Sequence, residues 1–129
     1  MSKRVAATNI KLKRAYDTAG SGDGTRVLID RLWPRGVRKE DAAIDLWVKD
    51  LAPSTALRKW FGHDPARWRE FRRRYSQEIH QHLDPLGELR ALAHKGQITL
   101  VYSAHDKAHN DAVVLREILL GRSIRSTPS

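Results

Sequence analysis

The chain has 129 residues, 40% of them hydrophobic and 30% charged, which suits one compact globular domain and excludes an intrinsically disordered chain. It contains no cysteine, which excludes a disulfide framework, a thiolate nucleophile and a thiolate-ligated metal. A formal net charge of +9 favours anionic partners, because summed positive charge attracts phosphates and carboxylates over several ångströms.

No apolar run approaches the ~20 residues of a membrane span. The basic start "MSKRVAATNIKLKR" lacks the apolar core of a secretory signal, so a cytoplasmic bacterial protein with no membrane partner is expected. "NIKLKRAY" alternates apolar and basic residues through Ile10 and Leu12 and reads as a half-buried strand. "DTAGSGDGT" is a loop, and "RVLIDRL" a more fully apolar strand, as expected near the centre of a sheet covered on both faces. "VRKEDAAIDLWVKDLAPS" supports two readings: a helix through Ala43, Leu46, Trp47 and Asp50, or a short strand. A loop leading into irregular or extended structure is expected there.

"APSTALRKWF" reads as a short helix with Ser54 as N-cap. "HDPARWREFRRRYSQEIHQHL" is the clearest helix. Asp64 caps it, Pro65 starts it, and Trp68, Phe71, Tyr75 and Ile79 recur at helical spacing. "DPLGELRALAHKG" repeats that grammar, with Asp84 as cap, Pro85 as start and Gly96 as stop. "QITLVYS" is a strong strand, and "HNDAVVLREILLG" a final helix stopped at Gly121.

The order strand, strand, helices, strand, helix predicts an α/β fold: a small, mostly parallel sheet flanked by helices in a single domain over residues 9–121. Residues 1–8 and 122–129 are expected to be flexible ends. The long helical crossover between "RVLID" and "TLVYS" predicts a parallel pairing with a right-handed connection. Ligands of open α/β sheets lie outside the carboxyl ends of the strands. That rule selects "DRLWPRG" and "SAHDKAHND", which parallel pairing places on one rim.

In the first segment, Asp30 is a candidate acid or base. Arg31 and Arg35 offer planar forks for an anion, and Trp33 a stacking surface or a core side chain. Whether Asp30 and Arg35 face each other or a ligand is open in the sequence. In the second segment, Asp106 and His109 are acid–base candidates, and Ser103 and Asn110 can bind or orient a ligand. Asp106 or Asn110 is expected to cap the final helix. His63, in the turn "FGHD", is a further ligand candidate.

No metal site or cofactor is read. "HDKAH" has the spacing of a zinc-protease motif, but His105 falls in the turn after a strand, outside any helix. Ser103, His109 and Asp106 lack a nucleophile elbow, and "GSGDG" precedes a strand where a phosphate loop would precede a helix. Arg67, Arg69, Arg72, Arg73 and Arg74 form a basic helix side that reads first as a solvated face and second as a phosphate-backbone surface.

"VLIDRLWPRG", "LWVKDLAPS", "LRKWFGHDPARW", "FRRRY" and "LVYSAHDKAHNDAVVL" together resemble the YeaO-like proteins, the short branch of the DUF488 group. The resemblance runs from about Lys11 to Leu120. It implies a small single-domain α/β protein of bacterial type and no particular activity, since the group is one of unknown function. Longer members carry a Cys-His-Arg pattern where this chain has Ala108, His109 and Asn110, so cysteine chemistry there is closed to it. No winged-helix pattern and no Gly-rich methyl-donor loop appear.

Three functional readings follow. The first is a rim pocket for a small anionic or nucleotide-like ligand. If it turns a substrate over, hydrolysis or group transfer fits. The second is a nucleic-acid-binding module using Arg67 to Arg74. The third is a structural or partner-binding domain in which the motif is all scaffold.

Overall fold

The computed structural model describes residues 5–122. The expected flexible ends lie mostly outside the described residues. Within them, Val5 is buried, and a turn at Ala7–Asn9 leads into the first strand.

Four strands form one sheet: β1 (Ile10–Arg14), β2 (Thr25–Leu28), β3 (Leu46–Trp47) and β4 (Ile98–Tyr102), in the order β1-β4-β2-β3. Every pairing is parallel. Leu100 pairs with Leu12 on one side and Val27 on the other, and Leu28 pairs with Trp47. The two most continuously apolar strands, β2 and β4, take the centre, where both faces are covered and no polar side is needed. All five β4 residues are buried. The alternating β1, with Lys11 and Lys13, takes an edge, where lysines discourage pairing with another chain.

The helices are α1 (Lys39–Ala42), α2 (Thr55–Phe61), α3 (Trp68–Ile79), α4 (Leu83–Lys95) and α5 (Asp111–Leu119). Helices α2 to α5 share the main core. There Val27, Ile29, Ile98 and Leu100 of the sheet side meet Phe61, Phe71, Tyr75, Leu89 and Leu115. The opposite face is thinner. Ala15, Leu28 and Val101 lie under Trp33, Val37, Ile44 and Trp47.

The caps follow the side-chain chemistry at three helix starts. Ser54 Oγ accepts the Leu57 N–H at 3.1 Å. Asp64 accepts the Ala66 N–H at 3.0 Å and opens a single turn at Pro65–Arg67 ahead of α3. Asn110 Oδ1 accepts the Val113 N–H at 3.1 Å. At α4 the expected boundary shifts. The helix begins at Leu83, so Asp84 sits in its first turn, where its charge faces free N–H groups without capping them.

The ambiguous segment resolves into three short pieces: α1, the two-residue β3, and a turn at Lys49–Leu51. A helix through Asp50 does not form, because Ala43 adopts left-handed backbone at φ 48° and ends α1. The buried Tyr75 hydroxyl donates to the Leu51 carbonyl at 2.5 Å and fixes that turn to α3.

Gly24 has φ +63°, and a Cβ there would lie 2.0 Å from the Gln97 carbonyl oxygen that accepts the Thr25 N–H. Gly24→Ala is therefore expected to cost about 3 kcal/mol or more in urea unfolding, from left-handed strain plus a backbone collision. Gly36→Ala, at φ +80° with nothing within 4 Å, should cost only about 1–2 kcal/mol. Equal losses for the two would remove the collision as the cause.

Candidate functional site: the carboxyl rim of the sheet

Because β2 and β4 run in parallel, the segments that follow them leave the sheet at one rim. Asp30 lies just beyond β2, and Ser103 follows β4 directly. The Ser103 N–H donates to Asp30 Oδ2 at 2.9 Å, and the Ser103 hydroxyl donates to the same oxygen at 2.6 Å. The Asp30 carbonyl accepts from the Trp47 indole at 2.7 Å. Asp30 is thus bonded to Ser103, and Arg35 is not among its hydrogen-bond partners.

Asp111, the first residue of α5, stands at the same rim and lines one cavity with Asp30. Burial raises its carboxyl well above the usual carboxylate range, and the Asp30 charge and a hydrogen bond with Asp30 push it further the same way. Asp111 therefore keeps its proton to a pH at which an isolated carboxyl has lost its own. Asp111 was not among the sequence candidates. Its only sequence signal, an acid in the first turn of a helix, is equally the mark of dipole complementarity.

The turn before α5 presents His109. Asp106 Oδ2 lies 2.8 Å from His109 Nδ1, and its Oδ1 accepts the N–H groups of Ala108 at 2.9 Å and His109 at 3.0 Å. The hydrogen bonds from the His109 ring and the Ala108 backbone hold the Asp106 carboxyl below its usual range. The ring also meets Trp68 edge-on at 5.1 Å. With Nδ1 engaged, Nε2 is the nitrogen left to exchange a proton. Asn110 is buried, and both ends of its amide are used: Oδ1 in the cap and Nδ2 on the Asp106 carbonyl at 2.9 Å.

The loop after β2 is pinned from two sides. Trp33 donates its indole N–H to the Val37 carbonyl at 2.7 Å and packs edge-on to Trp47 at 5.6 Å, joining the second core. Tyr16 donates to the Arg35 carbonyl at 3.1 Å. Arg31 makes only long contacts, 3.4 Å to the Pro53 carbonyl and 3.5 Å to that of Ala52. The Arg35 side chain is exposed, with no hydrogen-bond partner among the described residues.

Helix α2 completes the site. Ser54 at its cap donates both its N–H (2.8 Å) and its hydroxyl (2.6 Å) to Glu78, which ties α2 to α3. Arg58, Phe61 and His63 then reach the rim. Gly62 and His63 follow each other in left-handed backbone, at φ 54° and 57°. For histidine that conformation is strained.

These groups enclose a cavity of about 370 Å³. Asp30, Arg31, Trp33, Arg35, His63, Ser103, His109 and Asn110 all line it, and Asp106 reaches it through His109. The sequence reading missed Asp111 and Arg58, and the aromatic walls Tyr16, Phe61 and Phe71. Arg58 lies off the apolar side of a short helix, a position identical in sequence to that of a solvated arginine.

The basic side of α3 is largely paired. Glu70 accepts from Arg73 at 2.6 Å and Arg74 at 2.8 Å, and these bonds hold its carboxyl down to about 2. Arg72 donates to Glu117 at 3.0 Å.

Fold and cavity define the class: an α/β protein with a parallel sheet and a ligand-sized pocket at its carboxyl rim. The family model described as "Inactive DUF488-N3 subclade" matches residues 9–128. The chain is 45% identical over 111 residues to the uncharacterized protein YeaO of Escherichia coli K12, which covers 86% of this chain and 96% of YeaO. It is 42% identical over 118 residues to the uncharacterized protein Rv3073c of Mycobacterium tuberculosis H37Rv, 92% of this chain and 99% of that one. The chain therefore belongs to the YeaO-like DUF488 family. No solved structure matches it. Among the described residues no helix is long and apolar enough to cross a membrane.

The carboxyl pair has a consequence for stability. Between its ordinary titration range and its raised folded value, Asp111 is protonated in the folded chain and ionised in the unfolded one. The folded state is favoured below that interval, and the advantage is lost as pH rises through the folded value. Asp111→Asn keeps a neutral group with a donor and an acceptor. Its melting temperature should exceed that of the wild type by a margin that grows from pH 4 to pH 8. A constant difference across that range in thermal melts would show that the Asp111 carboxyl is not raised in the folded chain.

Proposed function

We propose that the rim pocket binds a small anionic ligand, phosphate-bearing or nucleotide-like, without turning it over. One observation carries this reading. Arg35 and Arg58 line the cavity, and neither has a carboxylate partner among the described residues. Elsewhere in the chain Asp23, Glu70 and Glu117 each hold an arginine. Unpaired guanidiniums beside a cavity suit a planar or tetrahedral anion. The cavity size falls at the small end of ligand pockets, which run from roughly 300 to 1,000 Å³.

The Asp106–His109 couple has the arrangement of an acid–base pair, and it is the residue set on which hydrolysis or group transfer would rest. Binding without turnover is supported instead by the family's description as an inactive subclade and by Ala108 standing where longer members carry cysteine. The pairing of Arg72, Arg73 and Arg74 with acids weighs against α3 as a nucleic-acid surface. The open cavity weighs against a motif that is all scaffold.

Isothermal titration of the full chain with inorganic phosphate and adenosine monophosphate tests the reading. Binding is expected, and Arg35→Ala and Arg58→Ala should each weaken it about tenfold, the value of one charge-assisted contact of about 1.4 kcal/mol. No binding of either compound at millimolar concentration would overturn it. His63→Gly should leave stability equal or raise it by up to about 1 kcal/mol, since glycine carries no left-handed strain. The same variant should bind the anion more weakly. Lost stability with unchanged binding would make His63 a structural residue.

A further inference from the structure

The cavity is chemically two-ended. Arg35, Arg58 and His63 are exposed, so its positive end is at the mouth. Asp30, Asp111 and Ser103 are partly buried, so its carboxyl end is deeper. An inorganic anion uses the first end and leaves the second idle.

We infer that the ligand is a phosphorylated sugar, with its phosphate at Arg35 and Arg58 and its hydroxyls read by Asp30 and Asp111. This rests on the anion-binding reading of the same pocket and adds the chemistry of the ligand's other end. Asp30 Oδ2 already accepts two bonds from Ser103, which leaves Oδ1 as the acceptor it can offer to the cavity it lines. Asp111 Oδ1 accepts the Ala112 N–H at 2.9 Å, which leaves Oδ2. The free sites are therefore one oxygen from each carboxyl, both residues lining the cavity. Two carboxyl oxygens side by side complement a hydroxyl pair, each member of which has a proton to donate.

The alternatives for the deep end fit less well. Among the described residues no group of three or more His, Asp or Glu side chains gathers to hold a metal. Phe61 and Phe71, stacked at 4.3 Å, supply an apolar wall against which the C–H face of a sugar ring can pack.

Calorimetric titration of the full wild-type chain with two sets of probes tests this. One set holds ribose 5-phosphate, glucose 6-phosphate and glycerol 1-phosphate. The other holds propyl phosphate, which has the anion and no hydroxyl on its carbon chain, and inorganic phosphate. At least one phosphorylated polyol should bind ten times more tightly than propyl phosphate. Asp111→Leu should erase that tenfold advantage. Binding of all phosphates within tenfold of one another would overturn the sugar inference and leave the anion-binding reading standing. No binding by any probe would overturn both. The wild-type comparison decides the matter even where Asp111→Leu fails to fold, and retention of the polyol advantage in a folded Asp111→Leu would exclude the carboxyl pair as its source.

Discussion

The bond between Asp30 and Ser103 joins the carboxyl ends of the two central strands, and the site depends on it. Parallel strands have no hairpin to hold their ends in register. Here β2 and β4 are separated by almost the whole helical layer, and a single carboxylate oxygen takes both an N–H and a hydroxyl from across the gap. Leaving two donors without an acceptor in a partly buried rim would cost more than the bonds contribute in water. The constraint explains why an acid ends an otherwise apolar strand.

The rest of the pocket is hung from scaffold contacts that have no chemical role of their own. Glu78 holds the cap of α2, which carries Arg58 and Phe61 to the rim. Tyr75 holds the turn before α2, and Tyr16 holds the loop that carries Arg35. Asn110, read from the sequence as a cap candidate and a residue to orient a ligand, spends both ends of its amide on the turn that presents His109 and also lines the cavity. Groups left unpaired at the rim, Arg35 and Arg58, stand out because their surroundings are so fully bonded.

Much of the architecture was legible in the residues. The burial of β2 and β4, the caps at Ser54, Asp64 and Asn110, and the shared rim all follow from local rules: continuous apolar runs, short polar side chains before helices, and parallel crossover. The segment from Val37 to Ser54 was not legible, because β3 is two residues long and exists only through its pairing with Val27 and Leu28. Trp33 reads in the sequence as either a stacking surface or a core side chain, and it is core on one side and pocket wall on the other. An indole is large enough to do both, and no local pattern separates the roles.

The sequence by itself determined that chemistry gathers after β2 and β4, since the change from apolar to polar at each strand end is a property of consecutive residues. It also closed the cysteine and disulfide routes. Only the tertiary structure decided what each polar group meets. Asp30 and Asp111 are eighty-one positions apart, and Arg58 lies between them on a different element. Their charges act on one another through space, so the raised Asp111 carboxyl and the cavity mouth with its unpaired guanidiniums arise only once the chain is folded.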